Sequence, residues 1–176
     1  MTEYVNHHHP TGILEAGTRA PDFTLKVAPD RTLTLSELRG RPVIMAFYPA
    51  DWSPVCGDQM ALYNEILDEF AEHDAELLGI SVDGAWCHKA YAEAKNLKFP
   101  LLSDFEPKGA VSRAYGAYAS EKGQSARALF VLDCKGMLLD QRRDDVAAPQ
   151  FLELGLAAAQ AEVDVELVGG LPGEAQ

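Results

Sequence analysis

The sequence has few cysteines, and their spacing excludes two common kinds of site. Cys56, Cys87 and Cys134 are the three cysteines of the chain, and no two are spaced as C-x-x-C. This excludes a zinc knuckle and a dithiol redox loop. Three scattered cysteines are also too few for the disulfide framework of a small secreted domain. Each cysteine therefore has to be judged by its own surroundings.

Basic residues are scarce as well. The 176 residues include 15 Lys and Arg against 27 Asp and Glu, a formal charge of −12, which argues against nucleic acid or an anionic membrane as partner. No apolar run is long enough to span a membrane, and the first twenty residues lack the basic head and apolar run of a secretory signal. We therefore expect a cytoplasmic location. The tract from His7 to His9 is read as a solvated terminus, because consecutive histidines rarely satisfy one metal geometry.

The order of predicted elements indicates one α/β domain with helices on both faces of a mixed sheet. We expect an N-terminal extension over residues 1–17, the domain over 18–161, and a loose glycine- and proline-rich tail over 162–176. The predicted elements are an N-terminal hairpin (20–27 and 31–38), strands at 42–48, 75–83 and 99–102, helices at 54–71, 85–97 and 107–116, a strand pair (126–133 and 136–143) joined by a tight turn, and a helix at 149–161.

Cys56 follows a buried strand and opens a predicted helix, which is the kind of junction where sites form in such sheets. Ser53 is a good N-cap and Pro54 suits the first helical position, so Cys56 is the third helical residue. Unpaired backbone N–H groups of a first turn stabilise a thiolate, and Ser53 adds a hydroxyl on the same side. Pro49 fixes the turn out of the strand. The alternative is a buried cysteine with no reaction to perform.

A reactive thiolate also needs a cation. Arg127 interrupts the otherwise apolar run 126–133, where a charge must find a partner. We therefore select Arg127 as the cation for Cys56. An arginine at a strand edge, facing water, remains the alternative for this position.

The spacing of Pro49, Ser53 and Cys56, P-x-x-x-S-x-x-C, resembles the active-site signature of the peroxiredoxins. APDF, SVDGAWCHKAY, FPLLSDFEPKGAVSRAYGAY and ARALFVLDCKG resemble the same family in order and spacing, over residues 18–160. The resemblance is greatest to the AhpE-like and bacterioferritin-comigratory-protein (PrxQ) branches. It implies a thioredoxin-like fold and cysteine-based reduction of hydrogen peroxide or organic hydroperoxides, with no metal, haem or flavin.

The resemblance also assigns roles to single residues. Pro49 would shield the site and Ser53 would hydrogen-bond the peroxide, while Cys56 would become a sulfenic acid and Arg127 would hold the thiolate. The family commonly has Glu three residues after the reactive cysteine, where it orients the arginine. This chain has Gln59, so we expect a less rigidly held arginine.

The source of the resolving thiol is left open by the sequence. PrxQ-like members often have a second cysteine five residues after the first, where this chain has Ala61. Cys87 is the candidate resolving cysteine, through a Cys56–Cys87 disulfide that requires both helix starts to unwind, although it also fits as a small packing residue. Cys134 is expected to be an incidental thiol at a hairpin tip. Without a resolving cysteine, an external thiol, commonly of a thioredoxin-like protein, would reduce Cys56 directly.

Several alternatives complete the sequence-based expectations. His88 is expected to cap or pack and not to serve as a base, and Trp52 and Trp86 are read as core aromatics in preference to a pocket rim. A disulfide reductase is disfavoured because Gln59 stands where C-x-x-C has its second cysteine. A peroxide sensor or redox-relay protein stays open, and so does a homodimer, which is common in the resembling branches.

Overall fold

The computed structural model describes residues 12–143 and confirms the predicted mixed α/β fold. The predicted helix at 149–161, the histidine tract and the C-terminal tail lie outside these residues. The elements are β1 (Thr24–Ala28), β2 (Arg31–Thr34), β3 (Val43–Phe47), α1 (Pro54–Glu65), α2 (Leu67–Glu72), β4 (Glu76–Ser81), α3 (Ala85–Lys95), β5 (Leu101–Ser103), α4 (Ala110–Ala114), β6 (Tyr118–Ala119), β7 (Gln124–Ser125), β8 (Ala128–Leu132) and β9 (Leu138–Arg143).

Seven strands form the central sheet, in the order β2-β1-β5-β4-β3-β8-β9, and β6 and β7 form a separate small pair. β3, β4 and β5 are parallel, whereas β8 joins β3 in the antiparallel sense. Because the parallel strands share a direction, their carboxyl ends meet at one edge of the sheet. α1, α3 and the loop before α4 all begin at this edge.

The core has two layers, one on each face of the sheet, and β3 contributes to both. Every residue of β3 is buried, as expected for a strand covered on both sides. Met45 and Phe47 pack with the hairpin and α4, while Ile44 and Ala46 pack with α1, α2 and α3. Ile13 and Leu14, from the expected N-terminal extension, pack against the first of these layers.

The prediction of a strand over the whole second half of the hairpin, residues 31–38, is wrong. Residues 35–38 form a 3-10 helix, so the strand ends at Thr34. The Glu37 carboxylate accepts a hydrogen bond from the Thr34 N–H at 3.3 Å, which stabilises the start of a helix. The spacing of Thr34 and Glu37 is that of a capping box, so the sequence does indicate a helix start here, although the alternating pattern favoured a strand.

The helix predicted at 54–71 is divided in two. Ile66 separates α1 from α2 with φ −98° and ψ 14°, outside helical geometry. The apolar spacing continues across the break because both helices pack on the same core layer, through Met60, Tyr63 and Phe70. Within residues 12–143, no helix is long and apolar enough to cross a membrane.

Candidate active site

Cys56 lies in the first turn of α1, at the carboxyl-end edge of the sheet. Ser53 occupies the N-cap position with extended backbone angles, and Pro54 is the first helical residue, as predicted. The Gly57 N–H donates to the Ser53 carbonyl at 2.8 Å and closes the first turn around the thiol. Cys56 is fully buried, so its sulfur has little contact with bulk water. The helix start therefore brings partial positive charge to a nearly dry sulfur.

The Ser53 hydroxyl forms no capping bond, although Ser53 stands at the N-cap position. An N-cap serine usually spends its hydroxyl on a backbone N–H of the first turn. Here that hydroxyl is left available to another partner beside the thiol. Pro49, half-buried, lies two residues beyond the end of β3 and begins the loop that leads to Ser53.

Arg127 reaches Cys56 because of the register between β3 and β8. Phe47 pairs with Ala128, so Arg127, the residue before β8, lies beside the loop that leaves β3. Its Nη2 donates to Cys56 Sγ at 3.5 Å, and its Nη1 donates to Gln59 Oε1 at 2.8 Å. The alternative of an arginine that faces water without a partner is thus wrong for this structure.

Gln59 holds the arginine from the next turn of α1. While its Oε1 accepts from Arg127, its Nε2 donates to the Tyr63 hydroxyl at 2.7 Å. Burial raises the pKa of Tyr63 to about 12, so this hydroxyl stays protonated. The amide side chain is therefore fixed at both ends and presents its oxygen to the guanidinium. Tyr63 was not selected from the sequence.

The loop between β3 and α1 is anchored by Asp51, which sequence reasoning missed. The buried Asp51 carboxylate accepts from the Tyr48 hydroxyl at 2.8 Å and from His88 Nδ1 at 2.9 Å. The Asp51 N–H donates to the Asp83 carboxylate at 2.8 Å. His88 Nε2 lies 3.2 Å from the Leu102 carbonyl, so both ring nitrogens are engaged. This agrees with the expectation that His88 packs, and leaves no nitrogen free to act as a base.

Cys87 lies in the first turn of α3 and is attached to the same loop. Its thiol hydrogen-bonds the Asp51 carboxylate and receives a hydrogen bond from the Trp52 side chain. Burial, together with the Asp51 hydrogen bond and charge, raises the pKa of the Cys87 thiol to about 11. In the folded enzyme Cys87 is therefore a protonated thiol and a poor nucleophile at neutral pH.

Cys134 lies in the predicted turn, whereas the two tryptophans are placed differently from what the sequence suggested. Cys134 is half-buried in a tight turn, which the Gly136 N–H closes by donating to the Asp133 carbonyl at 3.0 Å. Trp52 and Trp86 are 54% and 72% exposed, so the core interpretation is wrong for both. Trp52 also has φ 62°, a left-handed angle that is rare for a bulky residue and often marks functional loops.

One group in the described part of the chain has the spacing of metal ligands. Oxygen atoms of Asp51 and Asp83 and the sulfur of Cys87 lie within 4.8 Å of one another. Both Asp51 oxygens already accept hydrogen bonds, from Tyr48 and His88, and a metal would compete with them. These residues fit the anchoring of the loop better than the binding of an ion.

Comparison with known proteins identifies the family. Residues 16–141 match the sequence model of the AhpC/TSA family. The chain belongs to this family. Among its relatives, alkyl hydroperoxide reductase E of Mycobacterium tuberculosis is 38% identical over 127 residues, which cover 72% of this chain and 83% of that protein. Peroxiredoxin-1 of Gallus gallus is 33% identical over 156 residues, which cover 82% of this chain and 77% of that protein.

Solved structures agree with the sequence comparison. The crystal structure of peroxidoxin BcpB from Mycobacterium tuberculosis has a TM-score of 0.74 and 28% identity, covering 84% of this chain and 97% of that one. The reduced 2-Cys peroxiredoxin of Plasmodium vivax has a TM-score of 0.73 at 27% identity, covering 86% and 98%. The predicted thioredoxin-like fold is confirmed. The chain is a peroxiredoxin, an oxidoreductase that reduces peroxides with electrons from a thiol.

Proposed function

We propose that Cys56 is the peroxidatic cysteine. The contact that carries this proposal is the donation of Arg127 Nη2 to Cys56 Sγ at 3.5 Å, in the first turn of α1. A guanidinium and a helix start both stabilise negative charge on sulfur, and the thiolate is the form that attacks. Cys87, in contrast, has the carboxylates of Asp51 and Asp83 beside it.

The reaction is a displacement at one peroxide oxygen. The Cys56 thiolate attacks that oxygen, a sulfur–oxygen bond forms, and the oxygen–oxygen bond breaks. The leaving oxygen takes a proton and departs as water from hydrogen peroxide or as an alcohol from an organic hydroperoxide. Sulfur loses one electron pair to the peroxide and becomes a sulfenic acid.

Three neighbours of Cys56 assist this displacement. Charge moves from sulfur to the leaving oxygen, so donors aimed at the peroxide lower the barrier. The Ser53 hydroxyl, free of a capping bond, is the donor for the peroxide, and Arg127 interacts with both sulfur and substrate. Gln59 holds Arg127 in place. Pro49 covers the loop side of the site and contributes no N–H that would attract water.

The second step requires another thiol, and we propose that in the folded enzyme it is external. The Cys87 thiol is hydrogen-bonded to the Asp51 carboxylate. The pKa of Cys87, about 11, leaves little thiolate to attack the sulfenic acid. A Cys56–Cys87 disulfide would need the first turns of α1 and α3 to open, and Cys87 stays the candidate resolving cysteine for that opened form. We take the external reductant to be a thioredoxin-like protein.

We further propose that the enzyme forms a homodimer through the carboxyl-end edge of the sheet. The large hydrophobic side chains exposed among residues 12–143 all follow β3, β4 or β5 at that edge: Trp52, Val55, Trp86 and Phe105. Such a cluster is typical of an interaction surface. Sedimentation of wild type and of Trp86→Glu would test it, because a charge in the interface should convert dimer to monomer.

Mass spectrometry after one equivalent of hydrogen peroxide tests the catalytic proposal. Wild type, Cys56→Ser and Cys87→Ser are compared, with dimedone present to trap sulfenic acid. We expect a dimedone adduct at Cys56 that persists in Cys87→Ser and disappears in Cys56→Ser. A Cys56–Cys87 disulfide in wild type would replace the external route with the intramolecular one, and an unmodified Cys56 would contradict the peroxidatic assignment. Continued turnover with dithiothreitol distinguishes an enzyme from a sensor that is oxidised once.

A further inference from the structure

Tyr91, on α3, has a buried hydroxyl that the reduced structure leaves unused. The residue is fully buried, and its hydroxyl has no hydrogen-bond partner among residues 12–143. A buried polar atom without a partner costs about 1–3 kcal/mol, so such atoms are rare and call for an explanation. The other unpartnered buried side-chain atom in that part of the chain belongs to Gln141, on the edge strand β9.

The Tyr91 hydroxyl lies against the first turn of α1. A Cβ added to Gly57, the residue that follows Cys56, would stand 3.7 Å from the hydroxyl oxygen. Tyr91 and Cys56 also belong to the same packed cluster, with Tyr48 and Met60. The bare backbone at Gly57 thus lets the hydroxyl approach the helix turn that carries the reactive sulfur.

The surroundings keep this hydroxyl a donor. Burial, with the negative charges of Asp51, Cys56 and Asp58, raises the pKa of Tyr91 to about 12, so the proton stays on oxygen throughout the physiological range. The Tyr91 ring also makes an edge-to-face contact with the Trp52 ring, with 5.2 Å between the ring centroids. What the hydroxyl lacks, among residues 12–143, is an acceptor.

Reaction with peroxide adds an oxygen atom to Cys56, the residue before Gly57. Resting on the assignment of Cys56 as the peroxidatic cysteine, we propose that the Tyr91 hydroxyl donates a hydrogen bond to the oxygen that Cys56 acquires as a sulfenic acid. Tyr91 is then a residue that binds the oxidised intermediate. Arg127 stabilises the Cys56 thiolate, and Tyr91 stabilises the sulfenic acid formed when that thiolate is oxidised. The bond orients the sulfenic oxygen. When the reductant thiol attacks the sulfur, that oxygen leaves as water, and the Tyr91 hydroxyl stabilises the charge that develops on it.

The test compares Tyr91→Phe with Tyr115→Phe in a Cys87→Ser, Cys134→Ser background. Tyr115 is a matched control, because it is also fully buried but its hydroxyl donates to the Pro21 carbonyl at 2.7 Å, on the opposite core layer. Each protein is oxidised with one equivalent of hydrogen peroxide, and the rate constant for reaction of Cys56 sulfenic acid with dimedone is measured by mass spectrometry. The rate constant for oxidation by peroxide is measured alongside.

We expect Tyr91→Phe to lower the dimedone rate constant about three- to tenfold, the equivalent of one hydrogen bond to the leaving oxygen, and by more than any change in the oxidation rate constant. Tyr115→Phe should alter neither. Equal dimedone rate constants in wild type and Tyr91→Phe would overturn the proposal. Wild type without a dimedone adduct at Cys56 would instead overturn the peroxidatic assignment, so the two failures are distinguishable.

The stability of the reduced protein gives a second measurement. Removing an unpaired hydroxyl leaves stability unchanged or raises it, whereas removing a paired one lowers it. We therefore expect the thermal midpoint of reduced Tyr91→Phe to stay level or rise, and that of Tyr115→Phe to fall. A fall of equal size in both variants would show that the Tyr91 hydroxyl is already satisfied in the reduced enzyme, and would overturn the proposal.

Discussion

Replacement of Arg127 by methionine should slow the oxidation of Cys56 by hydrogen peroxide about 10- to 50-fold. Two unit charges 3.5 Å apart, the distance between Arg127 Nη2 and Cys56 Sγ, attract by about 5 kcal/mol at an effective dielectric constant of ~20, which is an upper bound. Hydrogen bonds to charged groups contribute about 1.5–3 kcal/mol in proteins. Because Arg127 is only half-buried, we take the lower half of that range.

The assay follows Cys56 oxidation in acid-quenched samples over a series of peroxide concentrations, in a Cys87→Ser, Cys134→Ser background. Arg41→Met is the matched control. Arg41 precedes β3, at the end opposite Cys56, and pairs with Glu76 at 3.2 Å on the surface. A loss below threefold in Arg127→Met, or the same loss in Arg41→Met, would refute the role given to Arg127.

Three further predictions concern the neighbours of the reactive thiol. Gln59→Leu should lower the rate constant for oxidation by peroxide about fivefold, because Arg127 loses its partner on α1. Gln59→Glu should raise that rate constant about twofold through a charged hydrogen bond. Equal rate constants for wild type and both variants in stopped-flow assays would contradict this. In Cys56→Ser, the rate constant for alkylation of Cys87 by iodoacetamide should rise about tenfold per pH unit from pH 8 to 10, since the pKa of the Cys87 thiol is about 11. A plateau of that rate constant below pH 9 would show that the pKa of Cys87 is not raised. His88→Ala should reduce the free energy of unfolding by about 2–4 kcal/mol, because the buried Asp51 carboxylate loses a hydrogen-bond partner. A loss of less than about 1 kcal/mol in urea titration would contradict this prediction.

The parts of the site that depend on local sequence were predictable. Ser53, Pro54 and Cys56 obey helix-start preferences that act within one turn, so their positions follow from the chain alone. The same is true of β3, whose continuous apolar run needs cover on both faces.

The rest depends on contacts between distant segments. The Asp51 carboxylate is anchored by His88, 37 residues further along the chain, and nothing local distinguishes Asp51 from a surface aspartate. Trp52 and Trp86 were misjudged because size and apolarity favour the core, whereas their loops place them outside. Arg127 could be selected from the sequence because a charge in an apolar run must have a partner, but only the register of β8 on β3 shows which partner.

The pairing of β3 with β8 has a consequence for the life of the chain before it is folded. Cys56 and Arg127 are 71 residues apart, and they meet only when Phe47 has paired with Ala128. A chain still emerging from the ribosome therefore exposes Cys56 as an ordinary thiol, mostly protonated and slow toward peroxide. The same applies to a molecule that has begun to unfold from β8. With Cys56 as the proposed peroxidatic cysteine, fast reaction with peroxide would be acquired only with the last central strand.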